Sequence, residues 1–217
     1  MKDFEEMARR VTACAKTYFK SARGSHGWDH TLRVLNMCGH IGQMEGCDMG
    51  VLSLAALLHD IGREESDRKK GKTCHAKEGA VMARKILADE GAPPETIDRV
   101  IHCIETHRFR SDLKPATLEA KVLYDADKLD SLGAVGVGRA FQFAGEIGAT
   151  TLHDPDVDPA ATKSYGPHDT AYREYLVKLM RVKGKMTTTT GRKIAQGRHD
   201  FMERFFKRLN DEAQGLV

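Results

Sequence analysis

The chain has no apolar run near the ~20 residues that cross a bilayer, no Cys-x-x-Cys pair, and almost no strand-like alternation of apolar and polar residues. The first absence speaks against a transmembrane helix. The opening MKDFEEMARR is charged and amphipathic, where a signal peptide needs an apolar stretch. Cys14, Cys38, Cys47, Cys74 and Cys103 are odd in number and not paired in spacing. That argues against a disulfide framework or a cysteine zinc site, and for free thiols in a reducing compartment. The expected address is the cytoplasm.

A concentrated charge of one sign is also missing. The 34 basic and 31 acidic residues leave a formal charge of +3, too mild for the basic stripe of a nucleic-acid binder but suited to a pocket for a phosphorylated small molecule. The expected partner is a small phosphorylated substrate, with neither a nucleic-acid polymer nor a membrane. No interface stripe stands out, so oligomeric state is left open.

What is present is helical periodicity, punctuated by glycine and proline. Helices are predicted over residues 3–20, 29–45, 48–61, 75–90, 94–107, 116–130, 131–148, 168–182 and 189–213. The first should end in the loop around Arg23-Gly24-Ser25. Residues 63–73 are charged and aperiodic and read as an exposed loop; 150–167, rich in Asp, Pro, Thr and Gly, read as a long loop or lid. The run Thr187–Thr190 reads as a linker and N-cap for the last helix. The 217 residues suit one compact domain, 1–217, with a core of about 20–148 and C-terminal helices of about 168–213 packing on it. The predicted fold class is all-α.

Polar side chains enter this apolar pattern at three places. The segment VLSLAALLHDIGR is apolar on every side from Val51 to Leu58 and then reaches His59-Asp60, with Gly62 a suitable C′ residue. A carboxylate at the end of such a helix needs compensation, by a metal or by a salt-bridge network. His30 shares a face with Val34, Met37, Cys38 and Ile41. Asp127 shares one with Ala116, Ala120 and Leu123, with Lys128 or Arg139 as alternative salt-bridge partners. Each taken alone has a structural explanation. Three such intrusions together favour one shared ion, and two imidazoles with two carboxylates suit a borderline divalent metal.

The order His … His-Asp … Asp resembles the HD phosphohydrolase superfamily, in particular its small stand-alone bacterial YedJ/YpgQ-like branch. The stretches that carry the likeness are SHGWDHTLRV (25–34), LAALLHDIGR (54–63), CHAKEGAVMARKIL (74–87), VIHCIETHRF (100–109), DADKLDSLGAVGVGRAF (125–141) and GRKIAQGRHDFMERFF (191–206). The resemblance implies an HD-domain helical bundle and the metal ligands His30, His59, Asp60 and Asp127. The ion would be Mn, Fe, Co, Ni or Zn, with one expected and a second, bridged by Asp60, left open. His75 and His107 are the candidates for that second ion or for contact with substrate phosphate. Two-metal members often pair adjacent histidines where this chain has Thr106-His107, which argues against a tightly held second ion. His102 is read as structural.

The implied activity is metal-dependent hydrolysis of a phosphoester or phosphoanhydride in a nucleotide-like substrate. His26, Arg63, Lys128, Asp130 and Arg139 are candidates for proton transfer or substrate binding, though Asp130 also suits a cap for the helix after it. The segment Tyr165 to Lys185 and the loop before it are candidates for closing over substrate. The alternatives are an HD-type di-iron oxygenase and a non-catalytic nucleotide-binding signalling module.

Overall fold

The computed structural model describes residues 2–20, 27–68, 74–108 and 113–217. Among these the regular structure is helical and no strand occurs. The chain forms two compact units, Met1–Asp127 and Lys128–Val217.

The first unit contains α1 (Lys2–Lys16, followed by a 3₁₀ turn Thr17–Phe19), α2 (Trp28–Glu45), α3 (Met49–Leu58), α4 (Arg63–Arg68), α5 (His75–Asp89) and α6 (Pro94–Thr106), and most of α7 (Leu118–Leu129). Helix α3 is its axis: Val51, Leu52, Leu54, Ala55, Ala56, Leu57 and Leu58 are all buried, and the helix packs on α1, α2 and α6. Asp48 starts it by accepting from the backbone N–H groups of Gly50 (3.0 Å) and Val51 (3.2 Å). Helix α2 stops at Gly46, whose φ of +80° is the left-handed C-terminal conformation that glycine adopts at no steric cost. Pro94 opens α6, where its missing N–H is not needed.

The second unit contains α8 (Gly133–Glu146), α9 (Ala171–Val177), a 3₁₀ segment Leu179–Lys185 and α10 (Thr189–Ala213). Thr188, within the threonine run, caps α10 by accepting from Gly191 N–H at 2.9 Å. The buried Arg173 ties the irregular stretch before α9 in place. It donates to Asp169 at 2.8 Å and to the Thr162 carbonyl at 2.6 Å, while Asp169 accepts from Tyr165 N–H at 2.7 Å.

Several predicted boundaries change. Residues 63–68 are helix α4 where a loop was expected: Glu64 and Glu65 complement its N-terminus, and the helix packs on α5. Residues 69–73 and the Arg23–Ser25 loop lie outside the described residues. Helix α3 ends at Leu58, three residues early, and His59–Gly62 form a turn. Helix α7 begins at Leu118, which leaves Ala116 exposed and outside it. The expected helix 168–182 breaks at Lys178, whose φ of −136° is not helical.

Gly62 does not take the left-handed conformation expected of a C′ residue; its role is contact. A Cβ there would lie 2.4 Å from Gly79 N and 2.5 Å from the His75 carbonyl oxygen. The turn after α3 therefore presses backbone to backbone against the first turns of α5, which brings His75 beside Asp60.

Candidate metal centre

Four helices and one turn deliver six polar side chains into the first unit. His30 comes from the first turn of α2 and Asp127 from α7. His59 and Asp60 come from the turn after α3, His75 opens α5, and His107 follows α6. His30, His59, Asp60, His75 and His107 are all buried. Their donor atoms form two sets, His30, His59 and Asp127, and Asp60, His75 and His107, each with all atoms within 4.8 Å of one another.

The geometry centres on Asp60. Its Oδ2 lies 3.8 Å from both His30 Nε2 and His59 Nε2. Its Oδ1 lies 3.5 Å from His75 Nε2 and 3.6 Å from His107 Nε2. One carboxylate therefore turns one oxygen toward each set. His30 Nε2 completes the first set, 3.4 Å from Asp127 Oδ1 and 3.4 Å from His59 Nε2.

Two of the imidazoles are oriented by the backbone. His59 Nδ1 donates to the Ala56 carbonyl at 2.7 Å, and His107 Nδ1 to the Ile104 carbonyl at 2.6 Å. A carbonyl only accepts, so the proton of each neutral ring sits on Nδ1 and leaves the Nε2 lone pair facing the cluster. Burial lowers the His59 pKa from 6.5 to about 4, against the pull of Asp60. Burial, followed by the Arg63 charge, lowers His75 to about 3. Asp60 is held well below the usual carboxylate range: burial opposes ionisation, but Arg63 and His59 lead the groups that outweigh it.

This donor chemistry fits a divalent cation. Two carboxylates and several imidazole lone pairs converge among largely buried side chains, and a single proton on His30 Nε2 cannot serve His59, Asp60 and Asp127 together. A mixed nitrogen and oxygen set of this kind suits Mn²⁺, Fe²⁺, Co²⁺, Ni²⁺ or Zn²⁺ and does not distinguish among them.

The remaining predicted residues fall elsewhere. Arg63 reaches back to Asp60, with Nε 2.9 Å from Oδ2 and Nη2 3.2 Å from Oδ1. That i, i+3 pairing is legible in the spacing Asp-Ile-Gly-Arg, but only its depth shows that the carboxylate needs the partner. Thr106 returns its hydroxyl to the His102 carbonyl at 2.7 Å and takes no place in either set. A second donor set exists regardless, because Asp60 supplies its carboxylate. His102 Nε2 accepts from Ala116 N–H at 3.1 Å, a structural bond. In the second unit Arg139 donates to Asp130 at 2.8 Å. Asp130 thus pairs with Arg139 and does not cap α8, whose N-cap is Leu132 with no side-chain capping bond. Lys128 is half-buried near the end of α7. His26 lies outside the described residues.

The fold and this cluster define a class: residues 27–132 match the family model described as HD domain, and the chain belongs to the HD-domain family. Within it the chain is similar over its full length to the uncharacterised protein YpgQ of Bacillus subtilis, 32% identical over 220 residues covering 100% of this chain and 98% of that protein. The crystal structure of YpgQ in complex with ADP superposes with a TM-score of 0.73 at 29% identity, covering 97% of this chain and 96% of that one. An HD-superfamily hydrolase of Bacillus thuringiensis gives a TM-score of 0.76 at 26% identity, covering 97% and 98%. The fold is thus that of HD-superfamily hydrolases. HD domains bind divalent metals, and this chain has histidine and aspartate groups able to hold one. Among the described residues no helix is long and apolar enough to cross a membrane.

Proposed function

We propose that the chain is a metal-dependent phosphohydrolase, that residues 1–217 act as one HD-type domain, and that the substrate is a small nucleotide with a phosphoester or phosphoanhydride bond. The observation that carries the reading is the convergence of His30, His59, Asp60 and Asp127 donor atoms at 3.4–3.8 Å in a buried pocket. The ADP held by the relative YpgQ supports a nucleotide.

A divalent ion bound by these four residues would bring the pKa of its water toward neutrality and polarise a phosphoryl oxygen. The protein groups supply orientation and exclude water. His59 is held by the Ala56 carbonyl in the tautomer that presents Nε2. His75, neutral at pH 7 because of its burial, is not the proton donor. As water adds to phosphorus, the P–O bond to the leaving group breaks and the leaving oxygen takes up a proton. His26, Lys128, Asp130 and Arg139 remain candidates for substrate contact or for that proton, and His107 for phosphate contact.

The test is Asp60→Ala. The variant should retain its helical circular dichroism while metal content and phosphatase or pyrophosphatase turnover fall to background. Asp127→Ala should lose metal as well. Near-normal turnover in Asp60→Ala would end the proposal.

A further inference from the structure

Arg63 does more than balance a charge. The Nη2 atom that bonds Asp60 Oδ1 at 3.2 Å also lies 3.4 Å from His75 Nε2. Those are two of the three donor atoms of the second set. A guanidinium nitrogen therefore occupies the corner of the pocket toward which a second ion would bring its charge. Arginine does not deprotonate in proteins, so it yields that place only by moving.

Charge counting points the same way. Among the described residues, Asp60 and Asp127 supply the carboxylates of the two sets, and one divalent ion balances their two charges. Arg63 adds one positive charge beside those donors, and a second ion would add two more. Such a surplus in a pocket of low dielectric is strongly disfavoured until an anionic substrate arrives.

We infer that Arg63 is the resident cation of the Asp60–His75–His107 set: the chain binds one divalent ion tightly, and a second only weakly, in competition with the guanidinium. The inference rests on reading the cluster as a metal centre. A different role, in which Arg63 merely orients Asp60 from outside, predicts the opposite sign. Removing an orienting partner of a ligand costs about 10–100-fold in metal affinity, whereas removing a competing cation tightens binding.

The experiment is calorimetric titration of metal-free full-length protein with Mn²⁺, backed by metal content after dialysis. It compares wild type, Arg63→Gln, Arg63→Lys and the double variant Arg63→Gln/His75→Ala. The wild type should titrate in two unequal steps, the second weaker by about tenfold or more. Arg63→Gln should tighten the second step by about tenfold or more, since a like charge a few ångströms away is removed. Arg63→Lys, which keeps the charge, should stay near the wild type, and the double variant should lose the second ion. The wild type tests the point even if Arg63→Gln does not fold, because two equal tight steps would overturn the inference. A second step unchanged or weakened in folded Arg63→Gln would also overturn it while leaving the metal centre standing. A wild type that binds no Mn²⁺ at millimolar concentration would remove both.

Discussion

At the scale of single residues the centre owes its character to neutral imidazoles held against a carboxylate that stays ionised. Burial lowers His59 from 6.5 to about 4 and His75 to about 3. A buried histidine with a depressed folded pKa contributes stability that is complete above the unfolded value, near 6.5, and is lost as pH falls toward the folded value. The metal-free protein should therefore lose on the order of 3 kcal/mol through His59 alone between pH 6.5 and pH 4. His75 acts in the same direction but shares neighbours with it, so the two do not add. Thermal melts of metal-free wild type and His59→Gln across that range provide the check. A wild-type melting temperature level from pH 7 to pH 4 would show that His59 is not held neutral. The sequence pattern placed His30 and Asp127 on inward faces, because helical spacing carries that information, and His59-Asp60 at the end of a helix apolar on every side. It could not reveal that Asp60 turns one oxygen to each donor set, or that Arg63 lies across it. Those contacts join residues from different elements.

At the scale of elements the centre depends on how tightly the turn His59–Gly62 seats against α5. Gly62→Ala would place a Cβ within 2.5 Å of backbone atoms on α5, and backbone cannot swing aside as a flexible side chain can. The variant should be destabilised by about 3 kcal/mol in urea unfolding and should bind metal less well as His75 is pushed from Asp60. Gly39→Ala is the matched control. It lies inside α2 with nothing within 4 Å of the added Cβ and should gain up to about 1 kcal/mol. Equal stabilities for the two variants would refute the seating argument. Sequence reading treated Gly62 as a helix stop because a glycine after an apolar helix has that meaning locally. The demand for close approach comes from Gly79, seventeen positions further along, and no local pattern contains it. The same limit explains α4. Its six residues are too few for a period to register, and packing on α5 stabilises what propensity alone would not.

At the scale of the whole molecule the ligands are scattered along the first unit. His30 and Asp127 stand 97 positions apart in the chain, and the four helices and the turn that carry the cluster belong to different parts of the unit. An ion held among them would cross-link those parts and stabilise the folded state by about 2.7 kcal/mol at a hundredfold excess over its dissociation constant. Hydrogen exchange should then show Mn²⁺-dependent protection in α2, the turn His59–Gly62, the start of α5, the end of α6, and α7. Unchanged exchange at His59–Gly62 with Mn²⁺ bound would rule out the His59–Asp60 ligation.

The amino-acid sequence by itself determined the all-α class, the buried axis of the first unit and the polar residues that had to be neutralised within it. Each is written in a short-range pattern: a period near 3.6, an unbroken apolar run, a histidine or aspartate on an inward face. Only the tertiary structure decided which donors share a pocket, that Asp60 belongs to two sets, and that Arg63 stands in the second. The reason is physical. Coordination is set by distances of a few ångströms among side chains from separate elements, and those distances follow from backbone packing such as Gly62 on Gly79.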